Sequence, residues 1–277
     1  MGKGGVCGAP ELPKIARAEL HFWEEPAISG TKGSGTIFFS GCPLKCVYCQ
    51  NQQISRGGVG EIISVERLAE LMRELEEKGA HNINFVTPTH YVHAIKAALS
   101  LYRPNIPIVY NCGGYESTET LKELEGLVDI YLPDLKYSDN ALGKSFSKVG
   151  DYFETATAAI TEMFRQTGAA EYDENGMLKR GTVVRHLILP GHVRNTIGVL
   201  KWLRDHLPQV TVSVMSQYFP IGEFPDYPEL ERRITEKEQE RVLNFLEKNG
   251  MTNGWVQDLE SADASYVPQF YSELPNA

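Results

Sequence analysis

The stretch TIFFSGCPLKCVYCQN (36–51) decides the fold, because it joins a β-strand pattern to a compact group of cysteines. Its first five residues, 36–40, are mostly β-branched or aromatic, which is typical of a buried strand. Three of the five cysteines in the chain follow directly, with C-x3-C-x2-C spacing, as Cys42, Cys46 and Cys49. An odd number of cysteines with three on one loop favours metal ligation over a disulfide framework.

The bulk composition is that of an ordinary globular protein. The chain has 277 residues, of which 42% are hydrophobic and 23% charged, and its formal net charge is −9. No cluster of Lys and Arg offers the basic face of a nucleic-acid-binding protein. No apolar run is long enough to span a membrane, and the amino terminus lacks the apolar stretch of a signal peptide. We therefore expect a cytoplasmic protein with no nucleic-acid and no membrane partner.

Strand patterns alternate with helix patterns along the chain. Six short apolar, β-branched or aromatic runs are each followed by an amphipathic segment, at 36–40, 83–87, 106–110, 128–132, 183–189 and 210–215. Strands that are apolar on both faces, separated by amphipathic helices, indicate a parallel sheet covered by helices. The fold class is therefore α/β, and six units predict a partial (β/α)6 barrel with short N- and C-terminal extensions.

Local signals mark where several elements begin. Ser64 is expected to cap a helix that buries an apolar face and ends near Gly79. Asp151 and Thr235 are each followed three residues later by a glutamate, which is the spacing of a capping box. Asn175-Gly176 predicts the turn of a small hairpin inserted before the fifth barrel strand.

No repeat, low-complexity tract or long linker divides the chain. We expect a single domain over residues 1–277, with a core at about 33–260. Residues 1–32 then form an N-terminal extension and residues 261–277 a tail, which follows a probable strand at WVQDL (255–259).

Ligating and polar residues gather at one predicted rim. The site of such a barrel lies just past the carboxyl ends of its strands. Those positions hold Cys42–Cys49, Thr87–His90, Asn111–Tyr115, Asp134–Lys136, Pro190–His192 and Gln217–Tyr218. The predicted outer helices are merely amphipathic, so this asymmetry predicts an active site on one rim.

The cysteine loop has three interpretations. Three thiolates can ligate three irons of a 4Fe–4S cluster and leave the fourth iron without a protein ligand. A structural zinc site requires a fourth ligand, which Cys7 or His21 would have to supply. Ordinary packing of three buried cysteines is the remaining interpretation. The spacing favours the open cluster, with Cys42, Cys46 and Cys49 as its ligands.

The segment CPLKCVYC (42–49) resembles the signature of the radical S-adenosylmethionine (SAM) superfamily. Three segments resemble the branch that contains homologues of pyruvate formate-lyase activating enzyme, namely HFWEEPAISGTKGSGTIFFSGCPLKCVYCQNQQIS (21–55), NFVTPTHYV (84–92) and RGTVVRHLILPGH (180–192). The similarity covers most of residues 15–260.

The resemblance implies two cofactors, a 4Fe–4S cluster and SAM, and it implies an oxidoreductase activity. The cluster is expected to cleave SAM reductively to a 5′-deoxyadenosyl radical, which abstracts hydrogen from a protein or peptide substrate. A flavodoxin- or ferredoxin-type electron donor is implied as a second partner.

Several SAM-binding residues are implied by the same resemblance. Tyr48 is expected near the adenine, although it can equally pack the loop onto the barrel. Asp134 and Lys136 match a motif that contacts the methionine and ribose portions of SAM, although the alternative is a surface ion pair. Gln217 stands where a ribose-contacting histidine is expected. Thr87–His90 stands where the activating enzymes carry Gly-Gly-Glu, whose backbone binds the SAM ammonium.

Other polar residues have open roles. Arg185 and His186 lie on the fifth barrel strand, and alternation allows only one of them to point inward. Three acidic residues, Glu24, Glu25 and Glu116, are expected near the rim, where they would favour a basic or neutral peptide. Cys112 is expected to be a small buried hydrophobe and Cys7 an exposed residue.

Two other functions compete with a protein or peptide substrate. Radical chemistry on a small metabolite requires a closed pocket, which residues 1–35 and 251–277 would form by folding over the rim. An iron–sulfur electron carrier or a zinc-binding interaction module belongs to another class, and it predicts four protein ligands per metal and no binding of SAM.

Overall fold

A computed structural model describes residues 10–56, 58–261, 268, 270 and 274. Its strands are β1 (Lys14–His21), β2 (Ser34–Phe39), β3 (Glu61–Ile62), β4 (Ile83–Val86), β5 (Ile108–Cys112), β6 (Ile130–Pro133), β7 (Glu171–Tyr172), β8 (Leu178–Leu187), β9 (Thr211–Met215) and β10 (Gly254–Val256). Its helices are α1 (Pro26–Ser29), α2 (Gln52–Ser55), α3 (Val65–Glu77), α4 (Val92–Leu101), α5 (Thr118–Lys122), α6 (Asn140–Ser147), α7 (Tyr152–Thr167), α8 (Val193–His206) and α9 (Glu236–Lys248). Two 3₁₀ turns lie at Pro228–Glu231 and Leu259–Ser261.

The strands form one curved sheet in the order β10-β9-β8-β6-β5-β4-β2-β1-β3, and β7 pairs with β8 off this path. The six predicted barrel strands are β2, β4, β5, β6, β8 and β9, and neighbouring members pair in parallel. At one edge, β1 and β3 add in antiparallel orientation, while β10 extends the other edge in parallel. In the described residues the two edge strands do not pair with each other, so the predicted partial barrel is confirmed.

All three predicted helix starts are confirmed, and two of the three predicted side-chain caps form. The Ser64 hydroxyl accepts from the backbone of Arg67 at the start of α3, and Thr235 forms a full capping box with Glu238 at the start of α9. The capping box at Asp151 is wrong, although α7 does begin at the next residue. The Asp151 carboxylate instead accepts a hydrogen bond from the Tyr115 hydroxyl at 2.8 Å.

Alternation along the strands separates two apolar regions. Outward residues such as Ile83 and Phe85 pack beneath α3 and α4 in a large outer core. Inside the barrel, α1 closes the end at which the parallel strands begin, because Ile28 packs against Val109, Ile130 and Val183 there. We call this apolar contact the floor of the barrel.

Two further predictions concern the ends of the core. The hairpin before β8 is confirmed, and the Asp173 carboxylate fixes its turn by accepting from the backbone of Asn175 at 2.8 Å. The predicted strand at 255–259 is shorter than expected, since β10 ends at Val256. The domain boundaries remain a prediction. No helix in the described part of the chain is long and apolar enough to cross a membrane.

Two described residues of the C-terminal tail contact the β1–β3 side of the sheet. The Phe270 ring packs edge-on against Phe38, with ring centroids 5.4 Å apart. The Leu274 amide donates to the Glu61 carboxylate at 3.0 Å. Since β10 lies at the opposite edge of the sheet, these contacts bring the tail back to the side where β2 begins the barrel.

Candidate active site

The cysteine loop leaves the carboxyl end of β2 and is held by two helices. The amide of Gly41 donates to the carbonyl of Ile54 in α2 at 2.8 Å. The amides of Lys45 and Val47 donate to carbonyls of Ser147 and Phe146 at the end of α6, at 3.1 and 2.8 Å. The loop that carries Cys42, Cys46 and Cys49 is therefore fixed at both ends, as a set of metal ligands requires.

Two serine hydroxyls contact the cysteine sulfurs. Sγ of Cys46 and Oγ of Ser147 lie 2.9 Å apart, and both residues are buried. The Cys49 thiol donates to Oγ of Ser55 at 3.4 Å. Once the cysteines are thiolates, the hydroxyls become the donors, because a thiolate only accepts.

A chain of hydroxyls runs from Cys46 to Tyr48. The Tyr137 hydroxyl is 2.7 Å from Oγ of Ser147 and 2.7 Å from the Tyr48 hydroxyl. Tyr48 is buried and packs edge-on against Phe146, with ring centroids 6.2 Å apart. Packing of the loop onto the barrel is thus observed for Tyr48, and its contact with adenine remains a prediction.

Burial makes the free thiols weak acids. It raises the pKa of Cys42 to about 12 and raises the pKa of Cys46 as well. Cys42 and Cys46 are therefore stable as neutral thiols without metal. Thiolates become favourable when bound iron supplies positive charge, so iron binding must release protons.

A row of alternating charges lies inside the barrel, which we call the charge ladder (Lys136, Asp134, Arg185 and Glu24). Nζ of Lys136 is 2.5 Å from Oδ2 of Asp134, and Nε of Arg185 is 2.9 Å from Oδ1 of the same residue. Nη1 of Arg185 donates to Oε1 of Glu24 at 2.8 Å, and Nη2 donates to Oδ1 of Asn111 at 2.7 Å.

The ladder settles which residue of β8 points inward. Arg185 lies in the barrel, whereas His186 is buried on the outer side, with Nδ1 2.6 Å from the carbonyl of Leu135 and Nε2 2.9 Å from Oγ1 of Thr196. Burial lowers the pKa of His186 to about 4, so the imidazole is neutral near neutral pH.

Mutual attraction keeps Asp134 and Lys136 ionised. Burial disfavours the charge on Asp134, but Arg185 and Lys136 outweigh it and lower the pKa of the carboxyl. Burial likewise opposes the charge on Lys136, and Asp134 outweighs it and raises the pKa of the ammonium. The side chains of Asp134 and Lys136 are 16% and 19% exposed, so solvent reaches them although they are not a surface ion pair.

The expectation of three acidic residues near the rim is wrong for Glu25, whereas Glu24 and Glu116 accept hydrogen bonds from side chains of the predicted rim segments 111–115 and 87–90. Glu24 belongs to the ladder in the interior. Glu25 is buried near the floor, where it accepts from Ser213 and from the Trp255 indole, and burial raises its pKa. Glu116 is buried beside the outer core, and burial raises its pKa to about 7. No local signal in the sequence indicated that neighbouring segments would enclose these acidic side chains.

Gln217 and Thr87 lie at two rim positions where the activating enzymes carry other residues. The Gln217 amide donates to Sδ of Met215 at 3.6 Å, and within the described residues its hydrogen bonds do not link it to the ladder. Its contact with ribose remains a prediction. Thr87 has a φ of 57°, and its amide donates to the carbonyl of Asn111 at 2.8 Å. A β-branched residue with positive φ is strained, and such strain is found mainly at functional sites.

The remaining predicted cysteines and ligands fall elsewhere. Cys112 is buried in the outer core, as expected. Cys7 lies outside the described residues. His21 pairs with Ser34 at the start of β2, whereas the cysteine loop follows the opposite end of that strand. His21 therefore does not supply a fourth zinc ligand.

The donor set of the cysteine loop fits a 4Fe–4S cluster. Three thiolates can ligate three irons of such a cluster and leave the fourth iron without a protein ligand, and the loop supplies three free cysteines. Among residues 10–56, 58–261, 268, 270 and 274, no set of three or more His, Cys, Asp or Glu side chains converges on one ion position.

Comparison with known proteins agrees with this donor set. Residues 36–203 match the family described as the Radical SAM superfamily. The chain belongs to the radical SAM superfamily. Radical SAM enzymes use a 4Fe–4S cluster and SAM, and these are the cofactors of this chain.

Relatives of this radical SAM protein share its sequence or its fold. It is 32% identical over 239 residues to "Uncharacterized protein MJ0674" of Methanocaldococcus jannaschii, covering 83% of this chain and 65% of that protein. Its fold is similar to that of methylornithine synthase (PylB), with a TM-score of 0.54 and 18% identity over 86% of this chain and 70% of the other. Its fold is also similar to that of Streptococcus suis SuiB bound to SAM, with a TM-score of 0.51 and 14% identity. That match covers 83% of this chain and 49% of SuiB.

Two residues of the radical SAM site escaped prediction. Ser147 lies at the end of α6, a helix that no pattern had indicated, so nothing local pointed to its contact with Cys46. Asn84 is buried in β4 and donates to Glu24 at 3.3 Å. A polar residue within the apolar run INFV was the available signal for it.

Proposed function

We propose that this chain cleaves SAM reductively with a 4Fe–4S cluster held by Cys42, Cys46 and Cys49, and abstracts hydrogen from a protein or peptide. One observation carries the proposal: the cysteine loop lies beside the ladder. A Cβ atom on Gly113 would lie 2.9 Å from Leu44 of the loop and 3.7 Å from Cε of Lys136. The cysteine loop and Lys136 of the expected SAM-binding pair therefore flank the same glycine.

The cofactors supply the chemistry. When bound, the reduced cluster gives one electron that breaks the bond between sulfur and C5′ of SAM, which yields methionine and a 5′-deoxyadenosyl radical that takes a hydrogen atom from the substrate. A flavodoxin- or ferredoxin-type protein would be the source of that electron.

The residues of the chain bind SAM and orient it. Lys136 offers an ammonium to the SAM carboxylate, and Asp134 offers acceptors to the SAM ammonium or a ribose hydroxyl. Arg185 holds Asp134 in place through Nε, and the buried Tyr152 hydroxyl accepts from the backbone of Lys136 at 2.9 Å. The positive φ of Thr87 turns the backbone at the rim, at the position where the activating enzymes bind the SAM ammonium.

A macromolecular substrate is supported by the resemblance of segments 21–55, 84–92 and 180–192 to activating enzymes. A small metabolite is the second candidate, and two observations favour it. Glu24 enters the barrel from the N-terminal segment, and Phe270 of the tail packs against Phe38. Both terminal segments thus contact the barrel interior or its edge.

Deuterium transfer tests the proposal and separates the two substrates. The reconstituted protein is reduced anaerobically with SAM and extracts of cells grown in deuterated medium, after ultrafiltration into macromolecular and small-molecule fractions. Deuterium in 5′-deoxyadenosine is expected with the macromolecular fraction. Deuterium only with the other fraction establishes the metabolite, and no 5′-deoxyadenosine in any sample refutes SAM cleavage. An electron carrier or zinc module predicts this last result.

A further inference from the structure

Asn84 has an unsatisfied acceptor inside the barrel. Its neighbours Ile83 and Phe85 pack in the outer core, so alternation turns the Asn84 side chain inward. The residue is fully buried, and Oδ1 has no hydrogen-bond partner in the part of the chain that the structure describes. A buried acceptor without a partner is unfavourable, and such atoms often mark the place of a missing ligand.

Glu24 fixes the orientation of this amide. Oε2 of Glu24 accepts from Nδ2 of Asn84 at 3.3 Å and from Nδ2 of Asn111 at 2.8 Å. Rotating the Asn84 amide by half a turn would place Oδ1 against the carboxylate. The atom without a partner is therefore the carbonyl oxygen, and it belongs to an amide whose Nδ2 donates to a carboxylate.

This end of the ladder offers acceptors to a ligand. Each of the three nitrogens of Arg185 already donates to Asp134, Glu24 or Asn111. Oε1 of Glu24 accepts from Arg185 alone among the described residues and retains acceptor capacity. The Glu24 side chain is 13% exposed, so solvent reaches part of this side chain.

Charge favours a cationic donor at this position. The opposite end of the ladder is the ammonium of Lys136, which lies beside the cysteine loop. Glu24 is the negative end, and the carbonyl dipole of Asn84 adds to its field. A donor without charge would use only part of this attraction, since hydrogen bonds between ionised groups are the stronger ones.

We infer that Glu24 and Asn84 bind the substrate through a protonated amine. This inference rests on the proposed function, because it names the chemical class of substrate for the same barrel. The ammonium belongs either to a small metabolite or to a lysine side chain of a peptide. Both sources present the same group to Oε1 of Glu24 and Oδ1 of Asn84.

Calorimetry with matched probes tests the inference on the reconstituted holoenzyme. The probes are pentylamine and acetyl-Gly-Lys-Gly-amide, and their neutral counterparts are pentanol and the norleucine peptide. At least one ammonium probe is expected to bind about tenfold or more tightly than its neutral counterpart. Glu24→Gln is expected to reduce that affinity about tenfold or more, whereas Glu11→Gln makes the same charge change at an exposed site and leaves it unchanged.

A second variant guards against loss of folding. Asn84→Ala removes the free acceptor and leaves every contact of Arg185 in place, so it is expected to fold and to weaken amine binding. Melting curves verify the fold of each variant. Binding of pentylamine alone assigns the site to a metabolite, and binding of the peptide alone assigns it to a protein.

Two results overturn the inference: no binding of either ammonium probe to the wild type, or equal affinity in wild type, Glu24→Gln and Asn84→Ala. Formation of 5′-deoxyadenosine without substrate is measured in the same preparations. Its presence with no amine binding rejects the amine and keeps the proposed function. Its absence here and in both extract fractions rejects the proposed function whatever the calorimetry shows.

Discussion

The two ends of the barrel interior are built on the same strands, but one end is packed with apolar side chains and the other holds the charge ladder. At the floor, Val109 and Val183 pack against Ile28 of α1. Two residues farther along the same strands, Asn111 and Arg185 bind Glu24 in the ladder. Successive inward positions on one strand are two residues apart. One inward position on β5 and β8 therefore belongs to the apolar floor and the next belongs to the ladder. Substitutions at the floor should affect stability, and substitutions in the ladder should affect cofactor binding.

The largest effect is expected where the chemistry begins. Cys42→Ala, Cys46→Ala and Cys49→Ala should each abolish the cluster, because each removes one of three protein ligands. Iron should fall from about four per chain to nearly none after anaerobic reconstitution. Cys112→Ala and Cys7→Ala are the matched controls and should keep the iron. If Cys7 proves as necessary as the loop cysteines, a four-ligand site replaces the open cluster.

At the floor, Ile28→Ala should destabilise the protein by about 2–4 kcal/mol, because a fully buried side chain leaves a cavity. Urea unfolding measures the change. Ile62→Ala on the exposed face of β3 should change stability by less than about 0.5 kcal/mol. SAM affinity of folded Ile28→Ala should stay near that of the wild type. A large loss of SAM affinity would show that the two ends are coupled.

In the ladder, Asp134→Asn and Lys136→Met should each weaken SAM binding about ten- to a hundredfold, with the iron content retained. Each removes a charge-assisted hydrogen bond worth about 1.5–3 kcal/mol. Equilibrium binding of SAM to the reconstituted protein measures the loss. Unchanged affinity in both variants would reduce the pair to a structural role beside Arg185.

Hydroxyl groups that contact the cluster ligands should have a smaller effect, on the reduction potential of the cluster. Ser147→Ala removes the partner of Cys46 and should lower the reduction potential by about 20–60 mV, because a donor to the sulfur favours the more negative reduced cluster. Redox titration followed by electron paramagnetic resonance reads the shift. Ser145 lies on the same helix and contacts Tyr227, so Ser145→Ala should not move the potential.

The smallest effect concerns backbone strain at the rim. Thr87→Gly should stabilise the fold by about 1 kcal/mol, since glycine adopts positive φ without a Cβ penalty. The melting temperature should rise by about 2–3 °C. Lys148→Gly removes the other described non-glycine residue with positive φ, and it should leave SAM affinity unchanged. Weaker SAM binding in Thr87→Gly alone would tie the strain to the cofactor.

The strands and the helix starts were predictable because their signals are local. Alternation of apolar runs gave six barrel strands, and Thr235 caps α9 through a residue three positions away. The capping box at Asp151 failed because Tyr115, 36 residues earlier, competes for the same carboxylate. Local patterns predict contacts between near neighbours and fail where a distant side chain offers a better partner.

The composition of the site was less predictable than its place on the rim. Alternation could not choose between Arg185 and His186, since the pairing of β8 with β6 and β9 fixes which residue faces inward. Glu24 enters the barrel because α1 packs on the floor, a tertiary event. Ser147 reaches Cys46 across 101 positions of sequence. Each of these contacts depends on the assembled barrel.

The segment before α1 has a consequence for the order of folding. Glu24 and Glu25 are made early, but their partners Arg185, Ser213 and Trp255 follow 161, 188 and 230 positions later. Contacts of such sequence separation form slowly, because a long stretch of chain must be closed first. During synthesis, Glu24 finds its ladder partner only after β8 has emerged, and Glu25 finds its last partner only after β10 has emerged. A chain that stops before Trp255 should therefore leave the buried Glu25 carboxyl short of one hydrogen bond.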